Sequence, residues 1–329
     1  MAVEAMKIRD LDLSDSPLNA EHLALGLPPV ERQVAAASAH PVLKAAQWTV
    51  LFLLLGTTIY LVGKLFDPAN TTSASQVVAD TLRSPVFWSA VLVGLVAQTV
   101  DGALGMAYGI TSTSFLLATG ASPAVASASV HIAEVFTTGV SGVSHLKLGN
   151  VDKRLFLRLL LPGMIGAVTG AWLLASIDAQ VMKPIVAAYL LLMGLYVLSK
   201  VFRKIRAQRG EPRHVAKLGL AGGFVDAVGG GGWGPVVTTT LIGTGHDPRM
   251  TIGSVNLAEF FLTFVSAIAF SLLVGSGPWV IVAGLVLGGL FAAPFAAYLT
   301  RRLNTRVLLA LVGSVISGLS VFNLWQALA

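Results

Sequence analysis

Two glycine-rich stretches carry the most suggestive chemistry in this chain. They are Asp101-Gly102-Ala103-Leu104-Gly105-Met106-Ala107-Tyr108-Gly109 and Asp226-Ala227-Val228-Gly229-Gly230-Gly231-Gly232-Trp233-Gly234. Glycine permits positive φ and lets the backbone approach a ligand closely. A helix beginning near Gly109 or Gly234 would present unpaired N–H groups and the positive end of its dipole, which attract an anion. Pro235 suits a first helical turn. Hydroxyl side chains follow at once: Thr111, Ser112, Thr113 and Ser114 in one stretch, Thr238, Thr239 and Thr240 in the other. Two such ends facing each other would form a small polar cage without a fixed positive charge, able to bind an oxyanion and release it. Gly109, Thr111, Ser112, Thr113, Gly234, Thr238 and Thr239 are therefore the candidate substrate contacts. Asp101, Gly105, Asp226 and Gly230 are candidates for shaping the tips and capping the helices, because a bare carboxylate would repel an anion. Plain packing is the competing reading, since glycines bring membrane helices together and Ser or Thr hydroxyls often bond their own i−4 carbonyl.

A second group is titratable. Glu134 and Glu259 lie in the middle of apolar segments, and His131 and Asn256 precede them by three residues. Each pair shares a helix face, which Thr138 and Thr263 continue. A carboxylate there must be protonated, paired or hydrated. His131, Glu134, Asn256 and Glu259 are thus a candidate coupling site for a proton or cation. The alternative is a structural carboxylate bonded to orphan N–H groups of a broken helix. His131 is unmatched in the second half, which weakly favours a titratable role.

The elements that must position these residues are membrane spans. The chain has 329 residues, 55% hydrophobic and 12% charged, with mean hydropathy +0.78. That is too little charge for a soluble domain. The net charge of +6 sits mostly in short loops, as the positive-inside rule requires. With no cysteine, disulfides, thiolate metal sites and a cysteine nucleophile are excluded. No cleavable signal peptide is visible, as the first apolar run begins only near Leu43.

The expected organisation is a polar cytoplasmic extension (1–40, with one short helix around Val30–Ala39) and an extra span (41–66). A polar loop follows, from Asp67 to Arg83. A first repeat (85–202), a basic cytoplasmic linker (203–217) and a second repeat (218–329) complete the chain. The repeat emerges on shifting the chain by 125 residues. Asp101 then falls on Asp226, Gly105 on Gly230, Gly109 on Gly234 and Pro123 on Pro248. Ser129-Val130-His131-Ile132-Ala133-Glu134 falls on Ser254-Val255-Asn256-Leu257-Ala258-Glu259.

Loop charge sets the orientation. The basic stretches at 147–158, 203–217 and 301–306 share the cytoplasmic side only if each glycine-broken block dips in and returns. The fold is therefore expected to be an all-α integral membrane protein with an inverted repeat of two units. Each unit is a Gly-broken re-entrant helical hairpin plus three transmembrane helices, and one extra N-terminal span precedes them. Discontinuous helices meeting near the midplane are a recurrent transporter design.

An enzyme is not expected. Zinc-protease, serine-hydrolase and nucleotide-loop patterns are absent, and neither a metal nor a cofactor is called for. The duplicated unit, the D-x-x-x-G tips with their hydroxyl residues and the S-V-[HN]-[IL]-A-E segments resemble the TauE/SafE sulfite exporter family of bacterial membrane permeases. The resemblance covers about Pro85 to Ala329. It implies a multi-pass protein of the bacterial cytoplasmic membrane that moves sulfite or a small organosulfonate; the inverted repeat and the hydroxyl-rich half-helix ends add the expectation of export by alternating access with the anion between the two tips. Protons as coupling ion and a homodimer are left open. So are a cation-coupled carrier or channel using the intramembrane carboxylates, and a membrane structural or sensory subunit. Nucleic acid is not expected as a partner.

Overall fold

The computed structural model describes residues 40–65, 73–202, 214–244, 246–274, 279–299 and 305–329. The extension before residue 40, residues 203–213 of the basic linker, the Ser276–Pro278 loop, Arg301 and Arg302 lie outside the described residues.

All regular structure among the described residues is helical. Helix α1 is Pro41–Leu65. Helix α2, Ala74–Arg83, corrects the polar loop expected there. Its capping box pairs Ser73 with Gln76, and its polar sequence is amphipathic rather than irregular. Helix α3, Pro85–Leu104, leaves α2 at a bend of 72° between Arg83 and Pro85. This bent pair has the geometry of a broken span or re-entrant element. Helix α4 is Tyr108–Ala118 and α5 is Pro123–Lys147, started by Pro123 and by Ser122, which accepts from the Val125 N–H. Helices α6 (Lys153–Ser176) and α7 (Ala179–Ser199) are capped by Asp152 and Asp178.

In the second half, α8 is Val215–Gly229. Helix α9, Gly234–Gly243, opens as a π-helical turn over Gly234–Thr238 and continues as α-helix. Helix α10 is Pro248–Leu273, capped by Asp247, and α11 (Trp279–Leu299) and α12 (Thr305–Leu328) complete the chain.

Among the described residues, five helices are long and apolar enough to cross a membrane, or six with the bent pair counted as one. They are α1, α6, α7, α10 and α12. Helix α5 has the length but not the hydropathy, because Ser127, Ser129, His131, Glu134, Thr137 and Thr138 all lie on it. These side chains are buried, as are Thr251, Ser254, Asn256, Glu259, Thr263 and Ser266 on α10. The protein is thus polar at its centre and apolar at its perimeter. Trp48 and Phe52 on α1 and Leu161, Ile165 and Trp172 on α6 are exposed outward, where lipid tails solvate them.

The two halves interlock. Helix α3 runs along α11 and α8 along α6, through glycine contacts. An added carbon at Gly288 would strike Val91 backbone, and one at Gly166 the backbone of Leu220. Helix α5 packs on α10, and α7 on α12. The last pair is antiparallel, with Gly194 against Ile316 and Ser317, and Gly313 against Leu198.

Candidate functional site

The two glycine-rich tips meet. Helix α3 ends at Gly105 (φ 63°, ψ 36°) and α8 at Gly230 (φ 65°, ψ 35°), both left-handed C-caps. The Gly105 N–H donates to the Asp101 carbonyl, and the Gly230 N–H to the Asp226 carbonyl. A carbon added at Gly109 would lie 2.6 Å from Gly231 Cα, and one at Gly234 would lie 2.5 Å from the Gly105 carbonyl oxygen. Each tip thus touches the first residues of the opposite half-helix. The Thr113 hydroxyl donates to the Gly230 carbonyl, and the Thr238 hydroxyl to the Gly105 carbonyl at 3.4 Å. These two bonds are counterparts under the 125-residue shift. They tie the tips together and occupy both hydroxyl protons.

The other hydroxyls divide. Ser114 donates to the Ile110 carbonyl, Thr240 to the Val236 carbonyl and Thr138 to the Glu134 carbonyl, all four residues back. Thr111 and Ser112 are buried, and their hydroxyls have no hydrogen-bond partner. Their counterparts in the second unit are Val236 and Val237.

Thr239 is approached by a residue that sequence reasoning missed. Lys200 Nζ donates to Thr239 Oγ1 at 2.7 Å, lies 3.0 Å from Met106 Sδ and stands 4.6 Å from the centre of the Tyr196 ring. The tips therefore do have a fixed positive charge beside them, which corrects the expectation of a cage without one. Among the described residues Lys200 has no carboxylate partner. In the sequence Lys200 reads as one more base ahead of the basic linker. Its signal was Tyr196 one turn earlier, a spacing that lets the ammonium cover the ring.

The aspartates differ. Asp226 Oδ1 accepts the N–H groups of Gly232 (2.7 Å) and Trp233 (2.9 Å), and Oδ2 lies 3.1 Å from His131 Nε2. Among the described residues Asp101 Oδ1 accepts only the Tyr108 N–H, at 3.4 Å. His131 is turned by the Ser127 carbonyl, 2.7 Å from Nδ1, while the Ser127 hydroxyl donates to the Ala227 carbonyl. Glu134 joins this group. One side-chain nitrogen or oxygen each from His131, Glu134 and Asp226 lie within 4.8 Å of one another, all buried. Glu134 Oε2 has no hydrogen-bond partner, and a carbon added at Gly109 would come 2.8 Å from Oε1.

The counterpart residues do not assemble in this way. Asn256 donates to Ser141 Oγ at 2.9 Å rather than reaching Asp101, and its Oδ1 is unpartnered. Glu259 is buried and makes no ion pair with the described residues.

Residues 90–322 match the family model described as Sulfite exporter TauE/SafE. The chain belongs to the TauE/SafE family. It is 44% identical over 248 residues to the probable membrane transporter protein YtnM of Bacillus subtilis (strain 168), an alignment spanning 71% of this chain and 82% of that protein. No solved structure matches the chain. As a TauE/SafE member it is a transport protein rather than an enzyme, a multi-pass protein of the bacterial inner membrane. The family match spans both tips, His131, Lys200 and Glu259, and leaves out α1 and α2.

Proposed function

We propose that this protein exports sulfite or a small organosulfonate anion by alternating access, with the anion bound where the two tips part. The observation that carries the reading is Lys200, a half-buried cation that has no carboxylate partner among the described residues and touches Met106 of one tip and Thr239 beyond the other. Helix α4 starts at Tyr108 and α9 at Gly234, so two helix N-termini add donors and favourable dipoles to the same place. Thr111 and Ser112 supply free hydroxyls. The tips leave no room for a carbon atom at Gly109 or Gly234, so binding requires them to separate. That separation breaks the Thr113 and Thr238 bonds, which makes them gating contacts rather than substrate contacts.

The antiparallel packing of α7 on α12, equivalent helices under the shift, supports an inverted repeat of two hairpin-plus-three-span units. Such a repeat offers two exchangeable states of one site. Helix α1, whose Leu54 packs on Gly139 of α5, is an added span outside that repeat. The basic linker and Lys200 then face the cytoplasm, where an exported anion enters.

The test is flux of sulfite and of methanesulfonate in proteoliposomes of wild type and Lys200→Met. Saturable flux that falls about tenfold in the variant is expected, the size of one lost charged contact. Flux no greater than in protein-free vesicles would overturn the reading. Four neighbouring carboxylates, Asp101, Glu134, Asp226 and Glu259, favour a second reading, carriage of a cation. Sodium or potassium flux in the same vesicles, insensitive to the anion, would select it.

A further inference from the structure

The contact between His131 and Asp226 poses a question of proton number. Ser127 presents a carbonyl oxygen 2.7 Å from His131 Nδ1, and a carbonyl only accepts. Nδ1 therefore carries a hydrogen. In a neutral ring Nε2 is then a bare lone pair, 3.1 Å from Asp226 Oδ2. Two lone pairs do not face each other at that distance inside a protein without a proton or a cation between them. Glu134 stands beside this pair with its Oε2 buried and unpartnered.

Among the described residues no base forms an ion pair with these carboxylates other than His131, because Lys200 of α7 is held at Met106 and Thr239 instead. Glu259 faces the group from α10, Asp101 from α3, Tyr108 from α4 and Tyr189 from α7. The Phe270 ring of α10 lies 5.8 Å from the His131 ring. Helix α11 carries no charged residue, and the bases of α1 and α6 (Lys44, Lys64, Lys153, Arg154 and Arg158) stand near helix ends. Acidic groups thus dominate a buried site with one oriented imidazole.

We infer that His131, Asp226 and Glu134 form the proton-carrying centre of the transporter, holding one exchangeable proton between Nε2 and Oδ2 with Glu134 as the next acceptor. The inference rests on the reading of the chain as an anion transporter and names its coupling ion. Asp226 is the physical link. One of its oxygens meets the shared proton, and the other fixes the Gly232 and Trp233 N–H groups of the tip that touches Gly109. When the proton passes to Glu134 Oε2, Asp226 Oδ2 and the Nε2 lone pair repel each other, and the pair must part. The shift of Asp226 moves the Gly230–Trp233 tip, and with it the contact that closes the anion site. No covalent bond other than the two X–H bonds changes, and charge is conserved within the three groups until the proton leaves. The second unit lacks such a centre, because Asn256 stands where His131 would and bonds Ser141 instead.

Two measurements test this. The first needs no substrate. In ¹⁵N-histidine NMR of the full chain in phosphatidylethanolamine and phosphatidylglycerol vesicles, the signal absent in His131→Asn is that of His131. Its Nδ1 should stay protonated while Nε2 changes with pH, and Glu134→Gln should move that transition. A His131 signal unchanged from acid to alkali overturns the inference. The second measurement uses methanesulfonate, whose charge does not vary with pH, so that any proton movement belongs to the protein. Measured against its own exchange without a gradient, His131→Asn should lose pH-driven methanesulfonate accumulation by about tenfold or more, a usual size for coupling between sites. Wild-type exchange that a pH gradient does not drive, or pH-driven uptake retained in His131→Asn, overturns the inference and leaves anion transport standing. Absence of exchange in wild type defeats the transport reading, and the NMR result still decides the proton site. Stoichiometric binding of manganese or zinc alone, lost in both variants, would replace the proton by a metal ion and overturn the inference.

Discussion

The two tips follow one plan but are not equally held. Both end a helix at a left-handed glycine, both are entered from an aspartate, and each receives a threonine from the other side. The second tip is anchored far more heavily. Asp226 takes two short backbone N–H bonds and the His131 contact, and the Tyr189 hydroxyl donates to the Gly231 carbonyl at 3.0 Å. The first tip has one long bond to Asp101 and holds Ala107 at φ 102°. The shared plan is thus anchored unequally, since Asp226 ties the second tip to His131, a titratable group. The other is looser and carries some backbone strain. A carrier needs such inequality if only one half senses a coupling ion.

The comparison can be broken most severely at Gly231, whose equivalent in the first tip is Met106. Gly231 sits at φ 135° against Gly109 and Ile110 backbone, so any side chain is both strained and obstructed. Gly231→Val should cost about 4 kcal/mol or more in thermal unfolding of the detergent-solubilised protein, or prevent folding altogether. Met106→Ala should cost less, about 2 kcal/mol, the lower end for a buried methionine.

The aspartates come next. Asp226→Ala strands two buried N–H groups and the imidazole and should cost about 3 kcal/mol. Asp101→Ala removes one long bond and should cost about 1 kcal/mol or less. Equal losses would remove the distinction between the tips.

Lys200 sharpens the comparison functionally, because Trp325 stands at the equivalent place in the second unit. Lys200→Met should weaken anion binding by about 1.4 kcal/mol, read as a tenfold rise in half-saturation for methanesulfonate. Lys200→Arg should lose less. The smallest effect is expected at Ala107. Ala107→Gly removes the positive-φ penalty and should raise stability by about 1 kcal/mol. The equivalent Gly232, crowded by the Tyr189 hydroxyl, should tolerate no such exchange to alanine without loss.

The helix starts were legible because their signals are local. Ser122-Pro123, Asp152, Asp178 and Asp247-Pro248 each announce a helix within four residues. Helix α2 was hidden by its polarity, since a search for apolar runs passes over an amphipathic ten-residue element. Its Ser73–Gln76 capping box was the available clue. The tips could be named as neighbours from the repeat alone, but their direct contact depends on how four helices cross. The His131–Asp226 pair spans 95 positions and has no counterpart in the other unit, so no pattern within the sequence could join them. Lys200 was obscured for another reason: a base at a helix end has an ordinary explanation in loop charge, and only the fold turns it toward Met106 and Thr239.

Crystals grown with bromoethanesulfonate test the central claim most directly, because the bromine marks the anion by anomalous scattering. The account predicts a peak beside the parted tips, with the sulfonate in contact with Lys200 Nζ and with N–H groups at the start of α4 or α9. A sole peak elsewhere in the protein, with the Gly109–Gly231 contact intact, would contradict it.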